Sequence, residues 1–331
     1  MKRRFLIFML IFLVLIIGVV TYAKIISTDN KSDNGKISVA EVTHSAFYAP
    51  LYVALENGYF EDEGIEIDLV LTPGADKVSA AVLSNDVQIG FAGAESAIYV
   101  YTGGENDYLQ LFSGLTKRDG QFILAREEDK NFTLEDLKGK EILVGRKGGM
   151  PALNFLNALK KAGLDEKDIN INYSVDFAAL GGTFIGNVGD YVNLFEPTAT
   201  ALENEGAGYI VASIGELSGE MPYTAFYARK SYINENQEVI KGFTKAIKRG
   251  IDFTLQSDAK TIANVILPQF PSLSLNDLEK IVDNYKQADS WLQTPYISEE
   301  YLENLEDIMI DNDLLTSYVP YKDLVNNFYN E

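Results

Sequence analysis

The chain has 331 residues, no cysteine, one histidine and a formal net charge of −20. That acidity argues against nucleic acid, and against anionic lipid, as partners of the globular part, because phosphate binding needs basic patches. The composition also excludes disulfides, thiolate metal sites, cysteine nucleophiles and an HExxH zinc site, and no G-x-S-x-G elbow supports a serine triad.

The length suits about two domains. Residues 1–24 read as a signal anchor or a signal peptide. Lys2, Arg3 and Arg4 precede an almost wholly apolar run from Phe5 to Tyr22. That run exceeds the roughly 7–15 apolar residues of a signal peptide and approaches the ~18 of a membrane span. An N-terminal apolar helix is expected, although Thr21-Tyr22-Ala23 also offers a cleavage site. The basic start should stay in the cytoplasm and place the rest outside. Residues 25–36, rich in Asn, Asp, Ser and Gly, read as a flexible linker.

Strand candidates then alternate with helix candidates. Ile37–Val42, Ile65–Leu71, Val87–Ala92 and Leu109–Leu115 read as strands, and Pro50–Glu61, Ala75–Ser84 and 96–101 as helices. This spacing is that of a parallel sheet with crossover helices. A second unit begins after KRDG. Its strands are Phe122–Arg126, Glu141–Gly145, Ile169–Val175, Tyr191–Leu194, Tyr209–Ser213 and Thr224–Arg229; its helices are Pro151–Ala162 and Thr198–Glu205. From Asn234 the pattern is helical to the end.

Ligands of open α/β sheets bind beyond the carboxyl ends of strands. Four segments occupy such ends: HSAFYAP (44–50), AGAES (92–96), RKGGMP (146–151) and FEP (195–197). In the first, His44 is a capping residue or a ligand contact, and Phe47 and Tyr48 are core staples or a wall for a flat ring. Glu95 and Ser96 open a helix, where an acid favours the dipole or accepts from a ligand amine. Gly148, Gly149 and Met150 form a tight turn or an anion-ready helix start. Glu196, before a proline, has the same two readings as Glu95. Phe184 follows a Gly-Gly pair that is either a cleft loop or a connector, and Tyr223 opens a returning strand.

These four segments in this order resemble the solute-binding proteins of ABC importers with the type II periplasmic-binding-protein fold. The branch is similar to those binding thiamine pyrimidine precursors, aliphatic sulfonates, taurine or nitrate. PLYVALENGYFEDEGIEIDLV, DVQIGFAGAES, LEDLKGKEILVGRKGG and DYVNLFEPTA carry the likeness, which spans about residues 37 to 320. The resemblance implies an α/β, two-lobed fold with two chain crossings. Lobe 1 would hold 37–117 and 230–331, and lobe 2 would hold 118–229, closing about a hinge on a small-molecule ligand. It implies an ABC transporter permease as partner, no enzyme activity and no cofactor, with an enzyme of the same fold and a membrane-tethered ligand sensor as the alternative readings. It also implies that Glu196 lines the cleft; with Glu95 it would favour an amine-bearing ring over a sulfonate. Two departures stand out. Gram-positive relatives usually carry a lipobox cysteine, so here the N-terminal helix is expected to hold the protein at the membrane, or the protein is released if that segment is cleaved. The similar fungal pyrimidine-precursor synthases carry a cysteine-rich motif, which is absent here.

Overall fold

The computed structural model describes residues 36–328. The expected N-terminal helix, and the linker apart from Lys36, lie outside the described residues. Among the described residues no helix is long and apolar enough to cross a membrane.

The first half of the chain builds β1 (Lys36–Glu41), α1 (Ala49–Glu56), β2 (Glu66–Leu71), α2 (Ala75–Leu83), β3 (Ile89–Gly93), α3 (Glu95–Thr102) and β4 (Leu109–Thr116). Next come β5 (Gln121–Ala125), β6 (Glu141–Leu143), α4 (Met150–Lys161), β7 (Asn170–Asn172), α5 (Leu180–Ile185), β8 (Tyr191–Phe195), α6 (Thr198–Asn204), β9 (Tyr209–Ser213) and α7 (Ile214–Ser218). After β10 (Thr224–Arg229) the chain is helical: α8 (Lys230–Glu235), α9 (Gln237–Gln256), α10 (Ala259–Ile266), α11 (Leu275–Gln287), α12 (Glu299–Asp311) and α13 (Tyr321–Leu324).

Two five-stranded mixed sheets result, with orders β2-β1-β3-β10-β4 and β7-β6-β8-β5-β9. The chain passes between them twice, after Thr116 and before Thr224, and the two passages are bonded side by side. The Met221 amide donates to the Lys117 carbonyl at 2.9 Å and the Tyr223 amide to that of Thr116 at 3.1 Å. Helix α1 is shorter than the expected Pro50–Glu61, because the chain turns at Gly58 with φ +70°. The expected helix at 321–328 ends at Leu324, after which Val325 bridges to Leu111 of β4.

One placement corrects the sequence reading. Thr224–Arg229, expected to complete the second unit at 118–229, is instead an inner strand of the first sheet, antiparallel to both β3 and β4. The run is buried along nearly its whole length, so it needs a neighbour on each side. Gly90 of β3 makes this possible: a Cβ there would lie 2.4 Å from the Tyr227 ring. Strand type is local information, whereas the choice of sheet depends on that distant glycine.

The helical tail packs on the first sheet. Trp291 bridges to Thr116, and α9 approaches α1 so closely that a Cβ on Gly250 would stand 2.1 Å from the Pro50 carbonyl. Helix α12 also reaches α4 of the second half, where Lys160 pairs with Asp311. One apolar core runs from the first sheet into the second, joining Phe47 and Tyr48 to Phe122 and Leu194. A separate cluster packs Ile123 of β5 against Ala152 and Phe155 of α4 and Ile214 of α7.

Candidate functional site

The ends of β1, β3 and β8 meet the starts of β5 and β10 where the two halves touch. An aromatic group forms there around Phe47, whose ring centroid lies 5.4 Å from Tyr48, 5.7 Å from Phe195, 5.8 Å from Tyr223 and 5.1 Å from Tyr285. Phe47 is fixed through its backbone, since the Trp291 indole N–H donates to its carbonyl at 2.8 Å. Gly120, in the first passage between sheets, is required by this packing. A Cβ there would lie 2.7 Å from the Phe47 ring and 2.9 Å from Phe195.

Polar groups without protein partners border the aromatics. Glu95, the first residue of α3, is 3% exposed, and its Oε2 makes no hydrogen bond. Burial pushes its carboxyl up to about 7; the amides of Glu95, Ser96 and Met150, and the Arg146 charge, pull the other way. Its carboxyl folds back over Gly93, where a Cβ would sit 2.0 Å from Oε2. Asp119, in the first passage, is fully buried. Its Oδ1 accepts from the Gln121 amide at 2.7 Å, while Oδ2 makes no hydrogen bond. Burial raises its carboxyl well above the usual range. The Tyr223 hydroxyl lies against the Asp119 carboxyl and makes no hydrogen bond to any other group. The side-chain amides of Gln121 and Asn193 make none at either end.

Of the residues singled out in the sequence, Phe47, Tyr48, Glu95 and Tyr223 come together here. Ser96 is buried beside the Tyr227 hydroxyl. Gly148, Gly149 and Met150 do form a helix start against Glu95. However, the Met150 amide faces the Glu95 carboxyl, and the Gly148 carbonyl accepts from the Tyr99 hydroxyl at 3.1 Å. The anion-ready position of α4 is thus taken by the protein's own acid.

Three others are engaged elsewhere. His44 uses both ring nitrogens on the protein, Nδ1 with Glu41 at 2.7 Å and Nε2 with the Gln269 carbonyl at 2.9 Å. The Glu196 carboxylate is saturated by Thr200 and Asn284, and its backbone is held by Ser45 and Tyr285. Phe184 is buried at the other end of the second sheet, with the Arg126 guanidinium 3.5 Å above its ring. Phe177 contacts Phe195 in its place, at 5.5 Å. Asp119, in a connecting passage, and Gln121 and Asn193, on strands, escaped the sequence reading, because buried polar positions carry no periodic signal of their own.

The NMT1/THI5-like family pattern matches residues 46–260, which span both passages between sheets, the Glu95 site and the aromatic group apart from Tyr285. The chain belongs to the NMT1/THI5-like family. The chain is 41% identical to YtlA of Bacillus subtilis (strain 168) over 292 residues, covering 88% of this chain and 87% of that protein. It is 22% identical to the formylaminopyrimidine-binding protein of Halalkalibacterium halodurans, covering 85% and 94%. Among solved structures it is similar to the alkanesulfonate-binding protein SsuA of Xanthomonas axonopodis pv. citri bound to MOPS. That match has 18% identity, a TM-score of 0.71 and coverage of 89% of this chain and 99% of that one. The fold is therefore that of the periplasmic binding proteins that serve ABC importers.

Proposed function

We propose that this NMT1/THI5-like protein is the extracytoplasmic solute-binding component of an ABC importer. In this reading it takes a small amine-bearing heteroaromatic ligand of the thiamine pyrimidine-precursor class. It delivers that ligand to a permease by parting its two halves, while its N-terminal segment keeps it at the outer face of the membrane.

The ligand class rests on Glu95 and Asp119, two buried carboxyls that each keep one oxygen free of hydrogen bonds beside the Phe47–Tyr48 aromatics. Such oxygens accept from ring amino groups, and flat aromatic faces suit a heterocycle. A sulfonate or nitrate would instead need donors or cations. Of the cations nearby, Lys117 binds Asp289 at 2.6 Å and Arg118 binds Glu220 at 2.8 Å, which leaves Arg146, facing the Glu95 carboxyl, as the cation beside the site. The formylaminopyrimidine-binding relative supports the same class. Titration calorimetry with formylaminopyrimidine and with MOPS tests the reading. Binding of the pyrimidine alone is expected, and preference for the sulfonate would overturn the ligand class.

A further inference from the structure

Three carboxamides lie between the second sheet and α4. Gln121 and Asn193 sit on neighbouring strands. Gln121 is paired with Phe195, and Asn193 with Ile123 one step further along, so both side chains leave the same face of the sheet. Ile123, on that face, packs against Ala152 and Phe155 of α4. Asn154 lies on α4 itself, its amide nitrogen donating to the Met150 carbonyl at 3.0 Å. All three residues are fully buried. The amide nitrogens and oxygens of Gln121 and Asn193, and the oxygen of Asn154, make no hydrogen bond within the protein.

Buried amides without partners destabilise a fold, and apolar side chains of like shape in their places are neutral or better. Five such atoms, on one sheet face and on the helix that covers it, have no structural role that Leu or Met would not fill. Gln121 adjoins the ligand site through its position in the chain: its backbone N–H donates to Asp119 at 2.7 Å, and it is paired with Phe195 of the aromatic group.

We propose that Gln121 and Asn193, with Asn154 behind them, are specificity determinants of the ligand site. They read a ligand edge that carries a donor and an acceptor side by side. This rests on the ligand site placed at the aromatic group above. A carboxamide offers one N–H donor and one C=O acceptor in a fixed plane, so two of them match an amino-azine or formamide edge. They discriminate against sulfonate and nitrate, which offer acceptors only. A site built to hydrogen-bond a ligand group rejects analogues lacking it by a large factor, because its own polar atoms then stay unpaired.

The test uses Asn193→Leu and Gln121→Met, each close in shape to the residue replaced. Melting temperature is measured without ligand, and affinity is measured by calorimetry with formylaminopyrimidine as probe. We expect at least one ligand-free variant to melt at or above wild type, and its affinity to fall by about tenfold or more, a change of ~1.4 kcal/mol. If both variants melt several degrees lower or fail to fold, the amides are structural and the proposal is overturned. Unchanged affinity in a stable variant overturns it equally. If wild type does not bind the probe, the pyrimidine reading falls. The melting arm then decides: a rise supports a binding role for these amides, and a fall removes it.

Discussion

Glu196 and Thr200 hold each other twice. The Thr200 amide donates to one carboxylate oxygen at 2.8 Å and its hydroxyl to the other at 2.8 Å. Asn284 of the tail helix α11 adds a third bond at 2.8 Å. The acid that the sequence marks as the foremost ligand contact is thus a joint between α6 and α11.

Glu196→Gln therefore tests structure more than binding. A glutamine has one acceptor oxygen, so its NH2 must face either the Thr200 amide or the Asn284 amide, donor against donor. Hydrogen bonds to charged groups are worth about 1.5–3 kcal/mol. We expect a loss of that order in denaturant unfolding, with affinity for formylaminopyrimidine changed by less than about threefold. Unchanged stability with a large affinity loss would return Glu196 to the ligand site.

Gly93→Ala should act in the opposite way. The backbone at Gly93 does not lie in the left-handed region, so alanine fits the strand. Its Cβ nevertheless claims the space of the Glu95 Oε2, 2.0 Å away. The carboxyl must swing aside, and we expect affinity for formylaminopyrimidine to fall by about tenfold or more with the fold retained. Equal affinity in the two proteins would show that Glu95 does not meet the ligand there.

Stability should decline as pH rises through neutrality. Glu95 titrates at about 7 in the folded protein against an ordinary 4.5, so the fold binds more protons than the unfolded chain between those values. Its contribution is lost as pH rises across that window. His44 is raised above 6.5, chiefly by the Glu41 bond. The stability it adds is full below that value and disappears as pH rises through the raised pKa. Both effects have the same sign. Melting temperature measured from pH 5 to 8 should fall, and Glu95→Gln should flatten the part between about 4.5 and 7. A rising profile in wild type would contradict the burial of Glu95.

The two halves are bonded directly to each other. Ser45 donates to the Glu196 carbonyl at 2.7 Å, and Lys280 of α11 pairs with Glu203 of α6 at 2.7 Å. If delivery involves parting the halves, small-angle scattering of ligand-free protein should give a larger radius of gyration than this structure, and formylaminopyrimidine should reduce it. An identical radius with and without bound ligand would argue against movement about the Thr116–Gln121 passage.

Much of the fold was legible in the sequence. The strand ends that carry HSAFYAP, AGAES and RKGGMP were readable, because alternation, helical spacing and glycine stops are local signals. Phe47, Tyr48 and Glu95 sit at those ends, and Tyr223 stands just before β10. The register that puts Thr224–Arg229 between β3 and β4 was not readable, because it depends on Gly90 leaving room for Tyr227, 137 positions away by their numbers. The fates of the two principal acids were not readable either. Glu95 and Glu196 both follow strands, and one opens α3 while the other stands two residues before α6, so they look alike in sequence. Only the tertiary structure gives Glu196 an asparagine from the distant tail and leaves Glu95 with an unpartnered oxygen. A carboxylate becomes structural or available according to which donors arrive from elsewhere in the chain, and no local pattern encodes that arrival.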